Sequence, residues 1–157
     1  MEAEFAEYGA KRVVKEFFAC NTPGPLFLPK GKCFANPPGA DIESPPWITD
    51  DEIEVFASKF EKSGFTGGLN YYRVLNLNWE MTSPWTGAQV KVPTKFIIGD
   101  LDFVYHTFDT DKYVNGEAFK QDVPDVEVVV LEGVAHWIQQ EKPDETTKHI
   151  ADFIANF

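Results

Sequence analysis

The chain has 157 residues, with 14 Lys and Arg against 25 Asp and Glu, and so a formal charge of −11. That balance argues against nucleic acid and anionic membrane surfaces as partners, because their phosphates call for clustered cations. Hydrophobic residues make up 43%, which is enough for a buried core, so one folded domain is expected and not a disordered chain.

Residues 2–20 are predicted to form one amphipathic helix, with Phe5, Val13, Val14, Phe17 and Phe18 on its apolar face. Prolines and glycines from Pro23 to Pro46 then forbid a continuous helix. The resulting connection is far longer than the usual ~4–6 residues and reads as functional or as a wrap over something else. Thr49-Asp50-Asp51-Glu52 spells a capping box. The helix it starts carries Ile53, Phe56, Ala57 and Phe60 at helical spacing and stops at Gly64. The acidic run at its start suits the helix dipole and is not read as a metal site. Residues 68–80 read as a third helix, with Leu69, Tyr72, Leu75 and Trp79 at three- and four-residue steps.

The character changes near Val90. Strands are expected near 94–99 and 126–131, each short and nearly continuous in apolar character, as fits parallel strands covered on both faces. A helix is expected between them over 111–121. A last one starts at Pro143, with Thr146, Ile150, Phe153, Ile154 and Phe157 turned inward. Strand, helix, strand, helix is an α/β order. Two parallel strands make a poor sheet alone, so this half reads as the end of a larger one. Its bare strand edge and apolar faces predict self-association or pairing with another chain.

Cys20 and Cys33 form no metal spacing and are read as reduced thiols of a cytoplasmic protein. The acidic N-terminus is not a signal peptide, and no apolar run approaches the roughly 20 residues of a membrane span. In open α/β sheets, reactive residues sit beyond the carboxyl ends of strands. Asp100 and Asp102 follow the first strand and His136 follows the second, the order Asp…His that ends α/β-hydrolase triads. Such a carboxylate fixes the imidazole tautomer, leaving the other nitrogen to take a proton from water. Spacing alone leaves Asp100 and Asp102 in competition, and by strand pattern alone His136 reads first as a helix-cap or partly buried structural histidine. His106 has no partner signal in its loop, and His149 falls on the exposed side of the last helix.

Gly67-Gly68-Leu69-Asn70-Tyr71-Tyr72-Arg73, Asn78-Trp79-Glu80, Pro84-Trp85-Thr86-Gly87, the run from Gly99 to His106 and the run from Leu131 to Trp137 together resemble plant soluble epoxide hydrolases of the α/β-hydrolase superfamily. The resemblance covers nearly the whole chain but only the second part of the family's pattern. It implies a helical lid over residues 1–88, followed at 89–157 by the last two strands and helices of the α/β core. It implies that Tyr72 donates a hydrogen bond to an epoxide oxygen, that Asp102 orients His136, and that His136 activates water against an alkyl-enzyme ester. A phenol stays protonated at neutral pH, which suits the first role. Tyr71, about 100° around the helix, is assigned to packing. The aromatic share of 15% fits an apolar tunnel for lipid or aryl epoxides, with Trp79, Trp85 and Trp137 as its walls or as simple packing. No metal or cofactor is expected.

The same family reaction needs a nucleophilic aspartate in a Gly-x-Asp-x-Gly/Ala elbow and an oxyanion segment with His before Gly. The one Gly-x-x-x-Gly match is Gly64-Phe65-Thr66-Gly67-Gly68, which centres on Thr66 and follows a helix, and no His precedes a Gly. The chain is therefore expected to be inactive alone: a truncated product, a partial gene model or a divergent remnant that binds apolar ligands or pairs with a full-length homologue.

Overall fold

The structure is a computed structural model, and it describes residues 1–23, 36 and 39–157. Most of the proline-rich connection, with Cys33, lies outside them. The described residues fall into two compact units: 1–19, 36 and 39–86 in the first, 20–23 and 87–157 in the second.

The first unit is helical. The single helix expected over 2–20 is two, α1 (Glu2–Tyr8) and α2 (Ala10–Phe18). Gly9 separates them at φ 80° and ψ 146°, a left-handed conformation that only glycine takes cheaply. Its N–H still closes α1 onto Phe5 and its carbonyl opens α2 toward Val13, so the apolar spacing survives the break. Phe5 and Val13 are buried together against Tyr8, Phe17, Phe65 and Leu69. Glu16 is also buried, and its charge is matched by the Arg12 guanidinium at 2.7 Å and the Asn36 amide at 2.7 Å.

Helix α3 (Asp50–Ser63) starts at the expected capping box and ends at Gly64, φ 66°. Glu52 accepts from the Thr49 N–H and hydroxyl, and these bonds hold its carboxyl below the usual glutamate value. Ile53 and Ala57 are its buried residues, and Phe60 stacks on Phe65 with ring centres 4.6 Å apart. The third helix is also divided, into α4 (Thr66–Arg73) and α5 (Leu75–Thr82), because Val74 leaves helical geometry at φ −98°, ψ 9°. Neither α4 nor α5 buries a residue. Arg73 pairs with Glu2, tying α4 to α1 and lowering the Glu2 carboxyl.

In the second unit, β1 (Thr94–Gly99) and β2 (Val126–Leu131) pair in parallel, in register from Thr94 opposite Val126 to Gly99 opposite Leu131. This is the predicted strand pair. The helix expected over 111–121 is two short ones, α6 (Thr110–Val114) and α7 (Glu117–Asp122), with Asn115 and Gly116 between them. A one-turn helix, α8 (Ile138–Glu141), precedes α9 (Pro143–Ile154). On α9 only Thr146 is buried, and Phe153 lies under the Lys95 ammonium. Ile150, Ile154 and Phe157 are exposed, not inward, because two strands offer too narrow a face to cover a twelve-residue helix. No helix among the described residues is long and apolar enough to cross a membrane.

Candidate active site

Both strands of the second unit end at one place. Beyond β1 the chain turns at once: the Asp100 N–H bonds the Leu131 carbonyl, and the Leu101 N–H bonds Val134 at 2.9 Å. Gly99 allows this approach, since a Cβ there would lie 2.1 Å from the Val134 carbonyl oxygen and 2.5 Å from that of Ala135. Val134 and Ala135 are buried beneath the loop, and the next side chain, His136, projects from it.

Nδ1 of His136 lies 3.0 Å from Oδ2 and 3.2 Å from Oδ1 of Asp102. A carboxylate can only accept, so this contact places a proton on Nδ1 and, in the neutral ring, leaves Nε2 as the acceptor. Asp102 is itself fixed, because Oδ1 accepts from the Val104 N–H at 2.7 Å. The Asp102 side chain is 8% exposed and that of His136 36%, so water reaches the imidazole while the carboxylate is shielded behind it. Phe103 and Trp137 flank the ring at 4.7 and 5.2 Å between centres.

Asp100, the competitor in the sequence, does something else. Its Oδ1 accepts from the Gly133 and Val134 N–H groups at 2.7 and 3.2 Å, and its carbonyl meets Nε2 of His106 at 2.6 Å. His106 thus has a backbone partner that spacing did not reveal. Glu141 was also missed. It sits four residues after Trp137, one helical turn on, and reaches back to the Ala135 and Trp137 N–H groups, a partnership with no motif in the sequence. Tyr72 lies on α4 in the first unit, 73% exposed, beside Tyr71 at 77%. Trp79 and Trp85 are exposed as well. Among the described residues, no group of three or more His, Cys, Asp and Glu is arranged to hold a metal ion.

No protein-family model matches the chain. It is 48% identical over 158 residues to Epoxide hydrolase 1 of Siraitia grosvenorii, covering 99% of this chain and 49% of that protein. The structure of potato (Solanum tuberosum) epoxide hydrolase I superposes with a TM-score of 0.91 at 52% identity, covering 99% of this chain and 49% of that one. A variant of Vigna radiata epoxide hydrolase superposes with a TM-score of 0.91 at 46% identity, over 100% of this chain and 50% of that one. The chain is homologous to the C-terminal half of plant epoxide hydrolases. It spans about half the length of the epoxide hydrolases it matches, and its architecture is a partial α/β-hydrolase fold.

Proposed function

We propose that the chain is the acid/base half of an epoxide hydrolase, converting an epoxide and water to a vicinal diol when a nucleophilic carboxylate is supplied to it. The observation that carries this reading is the His136–Asp102 contact at 3.0 Å, made between loops that follow two parallel strands in a chain homologous to plant epoxide hydrolases. In this reading residues 1–88 are the lid and 89–157 the core part.

The chemistry runs in two steps. A carboxylate from outside these 157 residues attacks an epoxide carbon. As that C–O bond breaks, the Tyr72 hydroxyl stabilises the developing alkoxide and gives it a proton, leaving an alkyl ester. Water then adds to the ester carbonyl, His136 Nε2 takes its proton, and Asp102 stabilises the imidazolium through Nδ1–H. The ester collapses, and the imidazolium protonates the departing alkoxide as the diol leaves. The freed acid gives up the water's second proton, which returns through solvent to the Tyr72 phenolate, so carboxylate, imidazole and phenol are restored. The substrate class is an apolar epoxide, of lipid or aryl type, in keeping with Phe103 and Trp137, which flank the His136 ring.

A second reading is favoured by the lack of a Gly-x-Asp-x-Gly/Ala elbow within the sequence. In it the chain is a non-catalytic remnant that binds apolar ligands or pairs with a full-length homologue. Purified chain is expected to form no diol from a lipid or aryl epoxide. Co-expressed with the preceding half of the Siraitia enzyme, it is expected to form diol, and His136→Ala should abolish this. A folded, associated pair that forms no diol would favour the remnant.

A further inference from the structure

The loop that carries His136 is held by two carboxylates in two different ways. Asp100 takes the Gly133 and Val134 N–H groups on one oxygen, Oδ1. Glu141 takes the N–H groups of the two residues that flank the histidine on separate oxygens: Ala135 N–H on Oε2 at 2.8 Å and Trp137 N–H on Oε1 at 2.9 Å. The backbone is therefore tied to one side chain on both sides of His136, at the residue before it and at the residue after it. That side chain is tethered in turn, because it lies one helical turn after Trp137 and ends α8.

We infer that Glu141 is the positioning residue of His136, aiming its imidazole at Asp102 through the two flanking amides, with Asp100 as a secondary clamp on the loop's approach. The inference rests on the proposed role of His136 as the base, and it concerns how the base is held, not what it reacts with. An ionised carboxylate is acceptor-only on both oxygens, so it satisfies two amide donors at once. An amide side chain has one acceptor oxygen, and its NH2 would face a second donor. Glu141→Gln must therefore lose one of the two flanking bonds. Asp100→Asn need lose neither of its bonds, because both converge on a single oxygen. The two isosteric substitutions thus have opposite expected outcomes.

The test uses the 157-residue chain and needs no turnover. Amide hydrogen exchange follows residues 132–138, and 15N spectroscopy of the histidine side chains reports the His136 tautomer, with His149 as internal control. In the parent chain Ala135 and Trp137 are expected to exchange at least about tenfold slower than unprotected amides, with His136 protonated on Nδ1. Glu141→Gln should raise exchange at one of the two flanking amides by about tenfold or more and shift His136 toward a mixture containing the Nε2–H tautomer. Asp100→Asn should leave both readouts unchanged, while Asp100→Ala should release Gly133 and Val134. Unchanged readouts in a folded Glu141→Gln chain would overturn the inference, as would Asp100→Asn and Glu141→Gln acting alike. Should Glu141→Gln fail to fold, the parent chain decides: free-peptide exchange at Ala135 or Trp137 would overturn it. A chain that never forms diol, even when paired, would sink the proposed function and leave these measurements intact.

Discussion

Tyr72 and His136 sit at opposite extremes of local definition. Tyr72 is on a helix that buries no residue, and it is itself 73% exposed. His136 is in a loop with four amides bonded to carboxylates, two buried neighbours on its N-terminal side and a ring nitrogen on Asp102. The acid/base pair is thus complete within one small unit, whereas the residue assigned to the epoxide oxygen has little around it in its own. A site can be assembled in parts, and a part fixed by backbone hydrogen bonds needs the rest of the protein least.

The largest expected effect is on the better defined side. In the reconstituted pair, Asp102→Asn should lower diol formation by roughly 10³-fold or more, since the wrong tautomer then faces the water. Urea unfolding of the same variant should show a loss of about 1–3 kcal/mol, because the Val104 N–H and His136 Nδ1–H donors, whose bonds are only partly buried, would share a side chain with one acceptor oxygen. Gly99→Ala comes next. The atoms it would strike are backbone carbonyls at 2.1 and 2.5 Å, which cannot rotate away. A loss of about 2–3 kcal/mol is expected, with the His136 Nδ1–H signature gone. A stable variant that keeps this signature would show that the strand end and the loop are less closely joined.

On the other side, Tyr72→Phe should change stability by less than about 0.5 kcal/mol, as for an exposed ring, while reducing diol formation by roughly 10²-fold in the pair. A clear loss of stability would mean that the ring packs more than its exposure implies. The exposed Tyr71, Trp79 and Trp85, with the bare face of α9, predict self-association of the chain. The charge of −11 opposes this, but screening limits its reach to about 8 Å at physiological salt. Light scattering behind size exclusion should give a mass above the monomer at physiological salt. A cooperative monomer at low and physiological salt would break the expectation.

Much of this was legible in the sequence. Four of the six residues of Val126–Leu131 are valines, with no helical period to compete with them, and Thr49 and Glu52 mark the start of α3 by side-chain chemistry alone. The breaks at Gly9 and Val74 were not legible, because apolar spacing carries on across a one-residue kink. The outward turn of Ile150 and Ile154 depends on how much sheet lies beneath them, which periodicity cannot report. Asp100 and Asp102 have the same spacing logic and differ only in what faces them: loop amides for one, an imidazole for the other. Glu141 escaped notice because its partners are backbone N–H groups, and α8 is too short to show a period.

The smallest expected effect is at the capping box. Thr49→Ala should destabilise α3 by about 1 kcal/mol, seen in thermal unfolding. Acid should act there too. The folded Glu52 carboxyl lies below its ordinary value of 4.5, held down first by the Thr49 N–H and then by its hydroxyl. Its contribution is therefore full above that ordinary value and is lost as pH falls through the lowered one. Amide exchange at the start of α3 should quicken over that acid range in the parent chain, and much less in Thr49→Ala.

The central claim is that His136 frees an alkyl ester formed on a carboxylate supplied from elsewhere. Intact-mass analysis of the reconstituted pair, mixed with an aryl epoxide, tests it most directly. With His136→Ala, the nucleophile-bearing half is expected to gain the mass of one epoxide and keep it. With the parent chain, the adduct should be transient and diol should accumulate. Diol formation by the His136→Ala pair at the parent rate, or an epoxide adduct that persists equally in both pairs, would contradict the account.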